Sequence, residues 1–268
     1  MSEQNQHNES EKAYGRFHRR VLEGNGTLFA IATTVAISIG ALVEISPMFS
    51  TTSLSWQRED WVKPYTPLEV AGRDIYIREG CYLCHSQMIR PMRAEMLRYG
   101  EWTRAAEYQY DRPFLLGSRR LGPDLQRVGG KYPDAWHYEH MRDPRSTSPG
   151  SIMPTYPWLY KQKYDPADVA KSVRALAKTG EPYTATDDAS IAAAIKTQAD
   201  GIVANLATTS IQVAPDDEII ALIAYLQRLG TDGKKHFAQQ AAQAEQAGRA
   251  QQAAIADKGS QAAPGGGQ

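Results

Sequence analysis

The sequence has 268 residues, with 30 Lys and Arg against 30 Asp and Glu, so its formal net charge at pH 7 is zero. The chain as a whole therefore offers no strong electrostatic field that could steer a charged partner. Its two cysteines exclude a disulfide framework and a zinc site made of four cysteines. The composition fits one globular domain together with one apolar segment near the N-terminus.

The first predicted element is an apolar run from Thr27 to Phe49 that contains a single charged residue, Glu44. As a helix its 23 residues would extend about 34 Å, enough to cross a bilayer core of about 30 Å. A signal peptide would have a shorter apolar core and a small-residue cleavage site after it, and the residues from Ser50 onward show no such site. We therefore predict an uncleaved membrane anchor at residues 27–49. The alternative is a buried core helix.

The basic residues beside this run predict its orientation. Four of them precede the run and only two follow it at a similar distance: Lys12, Arg16, Arg19 and Arg20 before it, Arg58 and Lys63 after it. The positive-inside rule then places residues 1–26 in the cytoplasm and everything after the anchor outside the cytoplasmic membrane. Nucleic acid is a poor partner for a domain on that side.

Glu44 is the unusual residue of the predicted anchor. An unpaired carboxylate below the membrane interface costs about 2 kcal/mol or more. Two explanations stay open: Glu44 pairs with a group of a larger membrane protein, or its side chain reaches the lipid headgroups.

The rest of the chain reads as mainly α-helical, with little strand signal. Residues 50–67 form a linker whose aromatic residues, Trp56, Trp61 and Tyr65, suit a membrane interface. Four helices are predicted by caps and apolar periodicity: Leu68–Gly80, 164–180 with Asp165 as its cap, Asp187–Leu206, and Pro215–Leu229. Residues 68–230 would form the folded domain, with a segment at about 181–214 that carries no motif. The Ala/Gln-rich residues 231–268 have too few large apolar side chains for a core, and we expect them to be mobile.

The decisive motif is Cys81-Tyr82-Leu83-Cys84-His85, which contains both cysteines of the chain. It is the C-x-x-C-H pattern of covalent c-type heme attachment. Two thiols at this spacing form thioethers with the two vinyl groups of a heme, and the following histidine binds the iron. The alternative is a redox-active C-x-x-C pair beside an incidental histidine. The context favours one covalently attached heme c.

A c-type heme usually needs a second axial ligand, and methionine opposite histidine raises the reduction potential. The candidates are Met88, Met92, Met96, Met141 and Met153, with His137 and His140 as bis-histidine options. The first three methionines lie at helical spacing just after the motif and are expected in the core. The two histidines lie on a predicted short helix and are expected at the surface. Met153 stands in a loop before Pro154, where it can reach the opposite heme face, so we predict Met153.

The segment from Ser86 to Lys131 is locally basic, with nine basic residues against five acidic ones, a difference of +4. Pairing with heme propionates or contact with a partner subunit would explain this excess, and an ordinary solvated surface explains most single arginines.

Taken together, these motifs resemble a known family. The order of helix, CYLCH, a GPDL loop, a loop methionine in IMP and a C-terminal DEIIALIAYLQRL helix is similar to class I cytochromes c. The stretches KPYTPLEVAGRDIYIREGCYLCHSQMIRPM, DRPFLLGSRRLGPDLQRVGGKYPDAWHYEHMRDPRS and SIMPTYPWL resemble the membrane-anchored mono-heme subunit of the cbb-three type cytochrome c oxidases. The resemblance covers roughly the first 160 residues and the 215–229 helix.

The resemblance implies roles for individual residues. Cys81 and Cys84 would carry the thioethers, and His85 and Met153 would be the axial ligands of the iron. In class I cytochromes a Gly-Pro loop carbonyl accepts the other ring N–H of the proximal histidine, which here would be the carbonyl of Pro123. Arg127 or Trp136 would meet a heme propionate.

The resemblance also implies a function and partners. The chain would be an electron-transfer subunit of a heme–copper terminal oxidase in the bacterial cytoplasmic membrane, with its heme domain in the periplasm. Dioxygen would be reduced in a separate multi-span catalytic subunit, and electrons would come from another c-type cytochrome subunit or a soluble cytochrome c. The alternatives are a free-standing anchored cytochrome c shuttle and a heme sensor or peroxidase with an open axial position.

Overall fold

The structure, a computed structural model, describes residues 19–20, 24–50, 59–184 and 186–261. The predicted cytoplasmic residues 1–18, the linker residues 51–58 with Trp56, and the last residues 262–268 lie outside the described part. The chain divides into two compact units, Met1–Gln57 and Arg58–Gln268. Among the described residues the only β structure is an isolated bridge between Lys163 and Asp217, so the predicted mainly helical fold is confirmed.

The first unit contains one long helix, α1 (Gly26–Ser50). Asn25 caps it, since its side-chain oxygen accepts a hydrogen bond from the Leu28 amide at 3.2 Å. The stretch Gly26–Ser46 has a mean hydropathy of 2.1, and none of it is buried within the chain. This one helix is long and apolar enough to cross a membrane, as the sequence predicts.

The second unit is built on the packing of its N-terminal and C-terminal helices. α2 (Pro67–Arg78) begins with a capping box, in which the side chains of Thr66 and Glu69 each bond the other's backbone amide. It packs against α8 (Glu218–Arg228), which is buried from Glu218 to Leu226. A Cβ added to Gly72 would lie 2.8 Å from the Cβ of Tyr225, so only glycine permits this close approach of the two helices.

Further helices surround this pair in the second unit. They are α3 (Arg93–Tyr99), α4 (Asp134–Arg142), α5 (Pro144–Thr147), α6 (Pro166–Lys178), α7 (Asp188–Ala207) and α9 (Thr231–Gln261), with short 3-10 turns at Cys81–Leu83, Ala105–Tyr108 and Pro157–Tyr160. Asp165 caps α6, and Asp187 caps α7. The predicted helix at Pro215–Leu229 begins three residues later, because Asp217 occupies its N-cap position.

The segment without motifs contributes directly to the core. α7 buries Ile191, Ile195, Ala199 and Leu206 against the α2–α8 pair and its neighbours. The segment at 181–214 therefore contributes part of the hydrophobic core of the domain.

The start of α9 is fixed to the chain segment that opens the second unit. The ring of Trp61 stacks on His236 with centroids 4.3 Å apart, and the Lys63 amide donates to the carboxylate of Asp232 at 2.7 Å. Side chains at 239–252 on α9 are exposed. The expected mobility of residues 231–268 stays a prediction.

Candidate functional site

The C-x-x-C-H motif forms a tight turn directly after α2. Gly80 has φ 69°, a left-handed conformation that glycine adopts without strain, and a 3-10 turn follows at Cys81–Leu83. The amides of Cys84 and His85 both donate to the carbonyl of Cys81, at 3.2 and 3.0 Å. Both thiols are free, with Cys81 half-buried and Cys84 exposed.

The environment of Cys81 bears on the two interpretations of the motif, covalent heme attachment and a redox-active cysteine pair. Burial, with the nearby charge of Glu79, raises the pKa of the Cys81 thiol to about 12. A redox-active C-x-x-C pair instead needs a thiol pKa lowered toward neutrality. The environment of Cys81 therefore disfavours a reactive thiolate at this residue.

His85 is oriented by the Gly-Pro loop that follows it in space. Its Nδ1 donates to the carbonyl oxygen of Pro123 at 2.8 Å, and because a carbonyl can only accept, the proton lies on Nδ1 and the lone pair on Nε2. Burial lowers the pKa of His85, although the bond to Pro123 acts in the opposite direction. A neutral imidazole with a free Nε2 is the form that binds a metal.

Gly122 leaves the space that the His85 ring occupies. A Cβ at residue 122 would lie 2.7 Å from Nδ1 and 2.9 Å from Nε2 of that ring, and closer still to Cε1. Any side chain there would displace either the imidazole or the loop. Gly122 is therefore part of the cradle of the His85 ring.

The Gly-Pro loop is bonded to the motif on both sides of His85. The Gly122 amide donates to the Cys84 carbonyl at 3.0 Å, and the Leu125 amide donates to the Ser86 carbonyl at 2.8 Å. The buried carboxylate of Asp124 accepts from the Ser86 hydroxyl at 2.6 Å and from the Met88 amide at 2.8 Å. These bonds fix the backbone beside the imidazole, so Asp124 is a positioning residue.

Arg120 extends this network to α3. Its guanidinium donates to Ser86 Oγ at 2.7 Å, to the Met88 carbonyl at 2.7 Å and to Glu95 at 2.8 Å. Hydrogen bonds from Arg120, and then from Arg90, lower the pKa of Glu95 to about 2. Sequence reasoning missed Asp124, Arg120 and Glu95; the GPDL motif was the available signal for Asp124.

The loop with Met153 reaches the other end of the motif. Trp158 Nε1 donates to the carboxylate of Glu79 at 2.9 Å, and Cys81 and Tyr156 pack against the same hydrophobic core. Burial and then the charge of Cys81 raise the pKa of Tyr156 to about 12. Met153 is half-buried against the core. The motif and the predicted distal residue therefore belong to loops that meet.

The other ligand candidates occupy different surroundings. Met141 is a core residue. Met88, Met92 and Met96 lie at helical spacing in the sequence, but they do not share a helix, because Pro91 precedes the start of α3 at Arg93. Met92 is exposed rather than in the core.

His137 is buried, and its expected surface position is wrong. It is 1% exposed, because it shares the inward face of α4 with Asp134 and Met141. Burial lowers its pKa to about 4, and its Nε2 has no hydrogen-bond partner among the described residues. A buried polar atom without a partner is costly, which points to a polar group that the chain itself does not supply.

His140 and Trp136 lie beside this buried histidine. The pKa of His140 is lowered by burial and then by the charge of His85, so the two histidines are near each other. Trp136 stacks between His140 and Tyr132, at 4.5 and 4.0 Å between ring centroids.

Arg127 lies elsewhere in the second unit, in a buried ion pair with Glu107. Its second terminal nitrogen donates to the same carboxylate at 2.7 Å. The contact of Arg127 or Trp136 with a heme propionate stays a prediction.

The residues present fit a covalently attached heme. Two free thiols and a neutral imidazole with a free Nε2 occupy one turn, and a glycine leaves room for the ring. The C-x-x-C-H turn, the Gly-Pro loop and the Met153 loop each expose one large apolar side chain. These are Leu83, Leu121 and Ile152, respectively. A flat apolar ligand would cover such side chains.

A protein-family model described as cytochrome C oxidase, mono-heme subunit/FixO, matches residues 19–232, which is 214 of the 268 residues. The match includes α1, the C-x-x-C-H turn, the Gly-Pro loop, the loop of Met153 and the segment at 181–214. No curated protein matches the chain significantly.

Proposed function

We propose, from the premise that this chain belongs to the family of mono-heme cytochrome c oxidase subunits (FixO), that it relays single electrons toward the catalytic subunit of the oxidase. Family membership makes the chain a one-heme component of an oxidoreductase complex. The route of the electrons, the ligands of the heme and the membrane orientation are the proposed part.

One observation carries the proposal: the His85 imidazole is held by the Pro123 carbonyl at 2.8 Å, beside two free thiols. Cys81 and Cys84 would add their S–H groups across the two vinyl groups and form thioethers. His85 would bind the iron through Nε2, and Met153 would occupy the opposite axial position. A heme held in this way supplies one-electron chemistry.

The residues around the ligands support this role by fixing geometry. The bond from Nδ1 to Pro123 sets the ring orientation and raises the basicity of the ligand. Asp124 and Arg120 hold the backbone on both sides of His85. Two protein ligands would leave no iron position open to dioxygen, so a separate heme–copper subunit must complete the reaction.

The membrane placement belongs to the same proposal. The helix α1 would anchor the chain in the bacterial cytoplasmic membrane, with the N-terminus in the cytoplasm and the heme domain in the periplasm. Glu44 would pair with a group of the multi-span catalytic subunit. Glu44→Leu should then weaken copurification with that subunit, whereas Thr34→Leu on the same helix should not.

Heme attachment is tested on a denaturing gel stained for heme. The parent chain should retain heme after denaturation, and the Cys81→Ala/Cys84→Ala chain should retain none. Heme stain on the double variant would contradict covalent attachment.

The relay is tested in membranes that lack this chain but keep the catalytic subunit at its normal level. Cytochrome c oxidase activity should be lost, and the isolated chain with an artificial donor should not consume dioxygen at an enzymatic rate. Full activity in those membranes would favour a free-standing cytochrome shuttle. Carbon monoxide binding to the ferrous heme would instead favour a sensor or peroxidase with an open axial position.

A further inference from the structure

A cleft lies behind the loop that holds His85, and the proposed relay gives it no role. It is an open cleft of about 490 Å³. Residues 90, 92, 94, 95, 98 and 99 and residues 120–123 line it, and we call it the cationic cleft. Cys81, Cys84, His85 and Met153 are not among its lining residues. The cleft therefore adjoins the site proposed for the heme, and Gly122 and Pro123 belong to both.

Positive charge dominates the cationic cleft and its rim. Arg90, Arg98 and Arg120 line the cleft with one carboxylate, Glu95. Arg93, Arg119 and Asp124 directly adjoin lining residues in the sequence and form the rim. Cleft and rim together carry an excess of three positive charges in a chain whose net charge is zero. Both carboxylates are buried and already bonded within the network. Arg93, Arg98 and Arg119 are exposed, and none forms an ion pair with a described residue.

Large apolar side chains are exposed at the same place. Met92, which lines the cleft, is 52% exposed, and Leu97 on the adjoining helix α3 is 77% exposed. Every basic residue from Ser86 to Arg127 is arginine. Arginine and methionine are enriched at protein interfaces, whereas lysine is depleted, so the composition indicates a surface that another protein covers.

The floor of the cationic cleft is the loop that orients the proximal ligand. Gly122 and Pro123 line the cleft, and the same Pro123 carbonyl accepts the hydrogen bond from His85. No side chain can stand between Gly122 and the imidazole. A redox protein seated in the cleft would therefore be separated from the proximal ligand by a single loop.

We propose that the cationic cleft is the docking site of an acidic single-electron carrier protein that delivers electrons to the heme of this chain. The proposal rests on the proposed relay function and adds the partner's charge and its place of contact. Complementary charge raises association rates by about 10- to 1,000-fold at low ionic strength, and this gain falls as the Debye length shortens to about 10 Å at 0.1 M salt.

The test compares two triple variants in the intact membrane complex. The first, Arg93→Glu/Arg98→Glu/Arg119→Glu, reverses the three exposed arginines of the cationic cleft and its rim that form no ion pair with a described residue. The matched control, Arg145→Glu/Lys161→Glu/Lys178→Glu, makes the same change in net charge at exposed positions elsewhere. The probe is a reduced soluble cytochrome c with an acidic surface, and a reduced cytochrome c with a basic surface is the counter-probe.

The measured quantity is the second-order rate of electron delivery as a function of ionic strength. The cleft variant should lose about 10-fold or more of the rate with the acidic probe at low salt, and its salt dependence should flatten or reverse. The control should keep most of the rate. A small neutral reductant should reduce the heme equally well in all three proteins.

Three results would overturn the proposal: equal losses in both triple variants, a preference of the parent complex for the basic probe, or loss of the multi-span subunit from the cleft variant alone. The last result would make the cleft an interface within the oxidase. Failure of the relay itself has a different signature, because the Cys81→Ala/Cys84→Ala complex would then oxidise both probes at the parent rate.

Discussion

Replacing Gly122 by alanine should disturb the proximal ligand without changing any ligating atom. The added Cβ would lie 2.7 Å from His85 Nδ1, inside the distance at which atoms can pack. The loop cannot retreat freely, because its amide is bonded to the Cys84 carbonyl at 3.0 Å. Overpacking of this kind costs about 1–3 kcal/mol of unfolding free energy.

The same substitution should raise the reduction potential of the heme. The bond from Nδ1 to the Pro123 carbonyl makes the imidazole more basic, which favours ferric iron. One hydrogen bond contributes about 0.5–1.5 kcal/mol. Since about 59 mV corresponds to a tenfold change for one electron, full loss of this bond shifts the potential upward by about 20–60 mV.

The assay is a redox titration of the purified heme protein, paired with guanidinium denaturation. Gly201→Ala on α7 is the control, because no atom lies within 4 Å of the position its Cβ would take. That control should keep the parent potential and gain about 0.5–1 kcal/mol of stability. If the Gly122→Ala protein kept the reduction potential and the denaturation midpoint of the parent, the role of Gly122 in making room for the His85 ring would be wrong.

Four further outcomes are expected. Met153→His should keep a low-spin heme and lower its potential, as redox titration will show, because thioether ligation favours ferrous iron; an unchanged potential removes Met153 from the site. Glu95→Gln should lower the unfolding free energy at neutral pH. The difference from the parent protein should shrink as the pH falls from about 4.5 toward 2. The reason is that the pKa of Glu95 is lowered to about 2, so the carboxylate contributes stability only while it is ionised. Denaturation curves that differ equally at all pH values would contradict this. Glu107→Gln should cost about 3–5 kcal/mol of unfolding free energy, because it leaves a buried guanidinium unpaired, and a loss below 1 kcal/mol would show that the pair is solvated. A chain beginning at Ser55 and exported by a cleavable signal should be a soluble heme protein; a requirement for the oxidase to retain heme would show that the domain is not autonomous.

Local signals allowed much of the fold to be predicted from the sequence. The Asp165-Pro166 start of α6 was correct, because an N-cap and a proline at the first helical position act within one turn. The apolar helix near the N-terminus was recognised by length and hydropathy alone. Spacing within the C-x-x-C-H motif also predicted which residues share one turn.

Contacts between segments that are distant in the sequence could not be predicted from such local signals. Asp124 lies 38 residues from Ser86, which it bonds, and no periodicity connects two loop residues across that separation. His137 was expected at the surface because α4 is short and polar. It is buried because Asp134, one turn earlier, is fixed to Asn205 of α7 at 2.7 Å and to Gln227 of α8 at 2.6 Å.

Residues next to the proposed heme ligands in the sequence hold those ligands in place through hydrogen bonds. Ser86 follows His85 and is held by Asp124; Glu79 stands two residues before Cys81 and holds the Met153 loop through Trp158. Each bond acts on backbone or on a residue beside a proposed ligand, so the proposed ligand atoms take no part in these bonds. The orientation of His85 therefore depends on buried hydrogen bonds and ion pairs. A partner docked at the cationic cleft would contact the Gly-Pro loop that these interactions hold. The hydrogen bonds from the Gly122 and Leu125 amides to the motif hold the Gly-Pro loop against movement when a partner binds there.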